Sequence, residues 1–422
     1  MSRNRKRLLT LGAVMLVVII VIPVLAPGAG AASKYKTLSK FSGGKDGKFP
    51  QASLIFGQAG NLYGTTAGGG THQWGIVFQL VPNLDGRWTK KVIHRFTGRP
   101  DGAGPEAGLT FDQAGNLYGT TSGGGVNNFG TVFKLAPNSD GSWTESLLYS
   151  FTGRSDGGTP LAGLIFDQAG NLYGTTLVFE STNIGTVFKL TPNRDGSWTE
   201  SVLYRFCSVK NCLDGDGPRA GLTFDQAGNL YGTTELGGVH LGTVFKLTPH
   251  SNGSWTESVL YGFTDGRDGG RPVAGVIFDQ NGNLYGTATE GGDLNCNSPS
   301  GCGVVFQLTP SLDGSWTESV LHRFTGEDGR APLGELTFDN AGSLYGTTQQ
   351  GGSVLCGYGC GIVFKLAPDS NGGWKETVLH AFADHPGAYP DAGVVLDTSG
   401  DLYGTATGDF HTTFGSVFEI MP

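Results

Sequence analysis

Three kinds of side chain in this sequence carry chemistry of their own. Six cysteines fall as three close pairs, Cys207/Cys212, Cys296/Cys302 and Cys356/Cys360. In an oxidising compartment such pairs form local disulfide staples. Each closes a very short loop, so loop entropy is worth only roughly 2 kcal/mol apiece. Zinc is the competing reading. It is weaker, because the pairs are scattered along the chain and no histidine spacing completes a finger. The second kind is a carboxylate, Glu335, which stands where most corresponding segments read Ala-Gly. Glycosidic hydrolysis wants two carboxylates at a set separation, and the sequence gives Glu335 no partner. A metal-binding histidine cluster, a G-x-S-x-G nucleophile and a phosphate-cradling loop are also missing. The third kind is suited to recognition: His72, Gln73, Trp74, Asn127, Asn128, Glu180, His240, Tyr358, His411 and Phe414.

What positions these residues is a repeat. "NLYGTT" occurs at Asn61–Thr66 and recurs, exactly or nearly, with its Leu at 62, 117, 172, 230, 284, 344 and 402. Spacings of this size mark a stacked or circular architecture. One unit reads "GLTFD", "NLYGTT", "GTVFKL" and "WTESLLYSF". Each run is rich in Val, Thr, Phe, Tyr and Leu, and each is bounded by Gly, Pro, Asn or Asp. These are four antiparallel strands, with no window of helical period between them. The expected fold is all-β: a seven-bladed β-propeller over 34–422. The last unit stops after its third strand, "GSVFEI", and "KYKTLSKF" at Lys34–Phe41 aligns with the missing fourth. The N-terminal strand should therefore complete the final blade and close the ring.

Most of the repeated letters have scaffold reasons. Asp112, Asp167 and Asp225 should cap turn amides, with Gly115 and its equivalents at positive φ. Trp88, Trp143, Trp198, Trp255, Trp316 and Trp374 should wedge between blades. The recurring Asp-Gly of the blade-to-blade crossings reads as turn chemistry. A ring of calcium sites is the alternative there, and one carboxylate per crossing supplies too few oxygen ligands.

These runs resemble the GloVer (Gloeo–Verruco) tandem repeat, built around "NLYGTT…GG…GTVFKL". The resemblance covers essentially all of Lys34 to Pro422. It implies an exported bacterial protein and brings no catalytic residues to carry over. The "D-x-x-G-N-L-Y" hairpin is also similar to that of NHL-type propellers, a class that includes both binders and enzymes. GloVer proteins often carry a C-terminal sorting segment. This chain ends at "EIMP" inside a strand, so any anchoring is expected from the N-terminus.

The N-terminus itself reads as a targeting segment over 1–31. Arg3, Arg5, Lys6 and Arg7 precede an apolar run and an Ala-Gly-Ala cleavage pattern, so cleavage is favoured over a retained anchor. The net charge of −8 is spread along the chain, which argues against nucleic acid or an anionic membrane as partner. A monomer in an extracellular, cell-surface or periplasmic space is expected, with no cofactor and no metal.

Strand topology sorts the loops. The first-to-second and third-to-fourth hairpins share one face and barely vary. The second-to-third loops and the crossings share the other, and these differ from unit to unit. All three cysteine pairs and the ten recognition residues fall on this variable face, where function usually resides. The residue before the third strand is Trp74, Phe129, Ile184, Leu241, Cys302, Cys360 and Phe414. A bulky apolar plug, twice replaced by a staple, anchors the loop there. Trp74 and Phe414 could instead serve as sugar-stacking platforms. The sequence reading is a non-catalytic binding propeller for a glycan or protein. Its alternative is a carbohydrate-active or lactonase-like enzyme with its site at the channel near Glu335.

Overall fold

The computed structural model describes residues 33–178, 184–352, 356–383, 387–409 and 413–422. Residues 1–31, where the sequence leads one to expect a targeting segment, lie outside these. Strand β1 (Lys34–Lys40) comes first in the chain but is not used first. Blade 1 follows as β2 (Ile55–Phe56), β3 (Leu62–Thr66), β4 (Ile76–Pro82) and β5 (Trp88–Arg95). Blade 2 is β6 (Thr110–Phe111), β7 (Leu117–Thr121), β8 (Thr131–Pro137) and β9 (Trp143–Ser150). Four more blades of the same pattern, β10 to β25, occupy 165–381. Blade 7 is β26 (Val395–Leu396), β27 (Leu402–Ala406), β28 (Ser416–Met421) and, on its outside, β1. Tyr35 pairs with Ile420 and Lys36 with Glu419, so the N-terminal strand closes the ring.

The expected strands form, with two differences of detail. The inner strand is two residues long rather than five, pairing only Thr110 with Tyr118 and Phe111 with Leu117. Upstream of those two residues the chain bonds to the previous blade instead: Thr65 donates its hydroxyl to Ala107 O at 3.0 Å. The same bond runs from Thr120 to Ala162, Thr175 to Ala220, Thr233 to Ala274, Thr347 to Ala392 and, across the closure, Thr405 to Ala52. Thr287 is the exception. Its hydroxyl is buried without a partner. It faces the blade in which Gly334-Glu335 replaces Ala-Gly, and that inner strand leans toward blade 7. A Cβ on Gly334 would lie 2.6 Å from Gly393 N.

The second is an addition to the all-β chain, which has no α-helix among the described residues, as expected. Among the described residues there are two single 3₁₀ turns, Gln58–Gly60 in a hairpin and Lys210–Cys212 in a crossing. The second arises at the cysteine pair. Cys212 N–H donates to Val209 O at 2.9 Å, which closes the turn and brings Cys212 back to Cys207.

The apolar core is divided among the seams. Tyr63 and Val77 of blade 1 pack with Leu109, Leu117, Phe133 and Leu135 of blade 2, and Trp143 closes the outside. Its ring lies 6.0 Å from Tyr63, the wedge that the sequence suggests. The glycine of "LYGTT" is dictated by this packing. A Cβ on Gly119 would lie 2.6 Å from the Phe133 ring and 2.9 Å from Leu109. At the hairpins, Asp112 accepts from the Ala114 and Asn116 amides at 2.9 Å and from Tyr118 OH at 3.0 Å. Gly115 has φ +82° there, as expected.

The crossing aspartates are turn residues too. Asp156 accepts from Thr152 N at 2.8 Å and from the Tyr149 hydroxyl at 3.0 Å. Beside them, the outer-strand Glu145, Glu200, Glu257, Glu318 and Glu376 each bury Oε1 without a partner. Burial, then the charge of Asp156, pushes Glu200 up to about 7. Glu257, Glu318 and Glu376 are likewise raised to about 7, by burial first. Blade 1 has Lys90 at this position, and it pairs with Asp46 at 2.8 Å.

Two outcomes follow from these seams. Thr120→Val should cost about 1–2 kcal/mol in denaturant unfolding, because it strands Ala162 O. Thr287→Val should be neutral or stabilising, since it removes a hydroxyl that has no partner. The second outcome concerns pH. The glutamates are raised above the unfolded value of about 4.3, so their contribution is complete below that pH and is lost as pH rises through about 7. Burial pushes His380 down to about 4, which acts oppositely between 6.5 and 4. One histidine is outweighed by the glutamates. The melting temperature should therefore be higher at pH 5.5 than at pH 8.5, and a Glu200→Gln, Glu257→Gln double variant should narrow that gap.

Candidate functional site

The variable face is built from a backbone clamp that recurs at every seam. The residue before each crossing proline takes a left-handed φ, even where it is not glycine: Thr159 at +53°, Arg271 at +54° and Ala331 at +54°. Such a conformation persists only when its surroundings determine it. Here they do so twice over. Thr159 N–H donates to Phe129 O of the previous blade at 2.7 Å, and Thr159 O accepts from Leu177 N of its own blade at 3.2 Å. The following Pro160 then lies against Gly130, whose Cβ, if present, would sit 2.7 Å from the ring. Two residues on, Ala162 O receives the threonine bond. The single residue between proline and alanine is thus pinned on both sides in six blades, and in blade 6, where Gly334 replaces the alanine, from the proline side alone.

That residue lines the mouth of the central channel. It is Gln51, Glu106, Leu161, Arg219, Val273, Leu333 and Asp391 in blades 1 to 7, around a cavity of about 460 Å³. It differs in character around the ring, while its neighbours barely change. Sequence reasoning missed it. The signal was present as a variable letter inside an otherwise fixed Pro-x-Ala frame.

Each charged member of the ring is held by its surroundings. Glu106 Oε1 accepts from the Ser122 hydroxyl at 2.8 Å. Asp391 accepts from Gln349 Nε2 at 2.9 Å and from the Thr407 hydroxyl at 2.8 Å. Burial nevertheless pushes its carboxyl above the usual range. Arg219 Nη1 donates to Glu235 at 3.0 Å. Glu235 also pairs with Arg271, which reaches on to Glu290 at 3.1 Å. Burial opposes ionisation of Glu235, but Arg271 and Arg219 overcome it and hold the carboxyl low.

Glu335 lies in the same cavity, on the ring of small residues below the mouth. Its Oε1 reaches across toward blades 4 and 5: a Cβ on Gly275 would be 2.9 Å from it, and one on Gly221 3.2 Å. The side chain is walled in by protein yet open to the channel space. Burial raises its carboxyl, only partly opposed by the Gly275 N–H. Glu335 is therefore not without carboxylate company, since Glu106 and Asp391 share the cavity. No group of three or more His, Cys, Asp or Glu among the described residues is placed to hold a metal ion.

The ten rim residues are spread over separate loops. Trp74 is 50% exposed and lies on the crossing glycine Gly98, whose Cβ would meet its Nε1 at 3.0 Å. Phe414 is half-buried over Gly43 and stands 6.2 Å from the Phe49 ring. Gln73 and Asn128 hold positive φ and bond within their own loops, to Gly70 O and from Gly124 N. His72, Asn127 and His240 are exposed. Tyr358 is 73% exposed, with the Arg330 guanidinium 4.9 Å over its ring. Glu180 and His411 lie outside the described residues.

The three cysteine pairs form disulfides. Cys302 and Cys360 fill the plug position fully buried, and their partners Cys296 and Cys356 are half-buried. Cys207 and Cys212 differ from them, since neither is a plug. Both are half-buried in the crossing, at φ +55° and +50°. Cys212 O accepts from Gly215 N of the crossing and from Gly238 N of the blade 4 loop, each at 2.9 Å. This staple therefore ties the crossing to the second-to-third loop beside it. The disulfides fit an oxidising, exported environment. Among the described residues no helix is long and apolar enough to cross a membrane.

The model of the Gloeobacter/Verrucomicrobia repeat matches residues 26–241 and 239–422. The chain belongs to that family. The clamp and the threonine bond described above are thus features of a repeat-family propeller. No curated protein matches the chain. Among solved structures it is similar to a Thermus thermophilus protein described as an oxidoreductase (glucose dehydrogenase), at 15% identity over 92% of this chain and 100% of that one, TM-score 0.43. A glucose dehydrogenase matches at 12% identity over 92% and 99%, TM-score 0.40. A protein of unknown function from Dyadobacter fermentans DSM 18053 matches at 12% over 93% and 100%, TM-score 0.44. None of their activities is carried over to this family member.

Proposed function

We propose that this chain is an exported, non-catalytic binding module that takes its ligand at the channel mouth of the variable face. The observation that carries this reading is the ring of seven positions, each held by the proline clamp and six of them also by the threonine bond. A rigid frame presents one freely varied side chain per blade to a cavity large enough for a small molecule or the end of a larger one. The rim residues Trp74, Tyr358, His72 and His240 would then make outer contacts with whatever projects from the mouth, whether glycan or protein.

A second reading has one observation of its own. A carboxyl whose pKa is raised by the surrounding channel wall is in the state of a general acid. Glu335 has that state and shares its cavity with Glu106 and Asp391. Carbohydrate-active or lactonase-like chemistry would use these groups.

One set of variants separates the two. Ligands from a glycan array and a peptide panel are measured calorimetrically against the parent protein, Leu161→Trp and Glu335→Gln. Leu161→Trp fills the mouth and should abolish binding without lowering the melting temperature by more than a few degrees. Glu335→Gln should change affinity less than tenfold, and no bound ligand should be turned over. Undiminished binding to Leu161→Trp would remove the mouth from consideration. Turnover that Glu335→Gln eliminates would establish the enzyme instead.

A further inference from the structure

The seven mouth positions are not distributed at random in character. Blade 4 contributes the guanidinium of Arg219. In a ring of seven, blade 4 stands opposite the junction of blades 7 and 1, and there the mouth carries Asp391 and Gln51, with Glu106 adjoining on blade 2. Apolar Leu161, Val273 and Leu333 fill the positions on either side of Arg219. The mouth is therefore dipolar. One edge is cationic and flanked by aliphatic side chains, and the opposite arc is rich in carboxylate.

The cationic edge is fixed in place. The chain Arg219–Glu235–Arg271–Glu290 crosses from blade 4 to blade 5 and anchors the guanidinium through one nitrogen. Its other N–H groups have no described partner, and 42% of the side chain is exposed. A guanidinium held this way loses little freedom when it takes a carboxylate, and its planar fork suits that partner. The acidic arc is fixed likewise. Asp391 is oriented by Gln349 and Thr407, and Glu106 by Ser122, which leaves Glu106 Oε2 without a described partner. None of the described cations pairs with Asp391 or Glu106. An acceptor arc of this kind suits an ammonium group.

We propose that the mouth recognises a zwitterion, namely a free amino acid or short peptide. Its carboxylate meets Arg219, its ammonium meets Asp391 and Glu106, and an aliphatic side chain lies among Leu161, Val273 and Leu333. This rests on the reading of the mouth as a binding site and names the ligand class for it. A neutral sugar would leave Asp391, Glu106 and the remaining N–H groups of Arg219 without an oppositely charged ligand group, and an anion alone would face the acidic arc.

The experiment is calorimetry on the purified protein with alanyl-leucine, N-acetyl-alanyl-leucine, alanyl-leucinamide and a neutral disaccharide. Free alanyl-leucine should bind, and blocking either end should weaken binding at least tenfold. In Arg219→Gln the penalty for amidation should vanish, and in Asp391→Asn the penalty for acetylation should shrink. The capping comparison on the parent protein needs no variant, so the proposal stays testable if either one folds poorly. Equal binding of free and capped dipeptides, or no dipeptide binding, overturns the proposal. If the disaccharide or a larger ligand binds instead and Leu161→Trp blocks it, the zwitterion is wrong while the mouth stands. If ligands bind and Leu161→Trp blocks none of them, the mouth reading falls with it.

Discussion

One hydrogen bond between neighbouring blades organises the molecule. The first threonine of the "GTT" motif donates its hydroxyl to the alanine carbonyl at the start of the next blade's inner strand, buried from water. A carbonyl buried there without a donor would cost about 1–3 kcal/mol, and the bond recurs at six of the seven seams. It ties the start of the inner strand to the blade before it, upstream of the two residues that pair in its own ladder. It also fixes how far the alanine stands from the blade before it, and with the proline clamp it fixes where the intervening residue points. Scaffold and site are set by the same few atoms.

The one seam that lacks the bond shows what it does. Where Gly334-Glu335 replaces Ala-Gly, Thr287 is left without a partner and the inner strand leans toward blade 7. The same substitution puts a carboxylate into the channel. A local cost in seam order and the one acidic group on the small-residue ring therefore arise together, the pattern expected where a site departs from the rule of its scaffold.

The fold was legible in the sequence because each of its causes is local and repeated. Alternating strands, an Asp-x-x-Gly hairpin and a tryptophan wedge appear in nearly every unit, and the missing fourth strand of the last unit pointed to closure by β1. The candidate site was much less legible. Cysteine pairs and aromatic residues before the third strand draw attention by type, yet Cys302 and Cys360 are buried plugs, Cys207 and Cys212 tie two loops together, and Phe414 is half-buried. Gln73 and Asn128 serve the turns that hold them. The mouth positions drew none, because a single letter between proline and alanine shows nothing of the channel until seven inner strands converge. Glu335 was visible as an exception, but Glu106 and Asp391, from blades 2 and 7, share its cavity only once the ring has closed.

The central claim is that seam residues carry the fold while the mouth residues are free to serve a ligand. Chemical unfolding of two multiple variants tests it most directly. Replacing Gln51, Glu106, Leu161 and Val273 together by alanine should leave the unfolding free energy within about 2 kcal/mol of the parent, since none of the four bridges blades. Replacing Thr65, Thr120 and Thr175 together by valine should cost at least about 3 kcal/mol, one lost bond for each seam. If the mouth variant is destabilised as much as the seam variant, the seven positions are scaffold, and the separation of fold from site is contradicted.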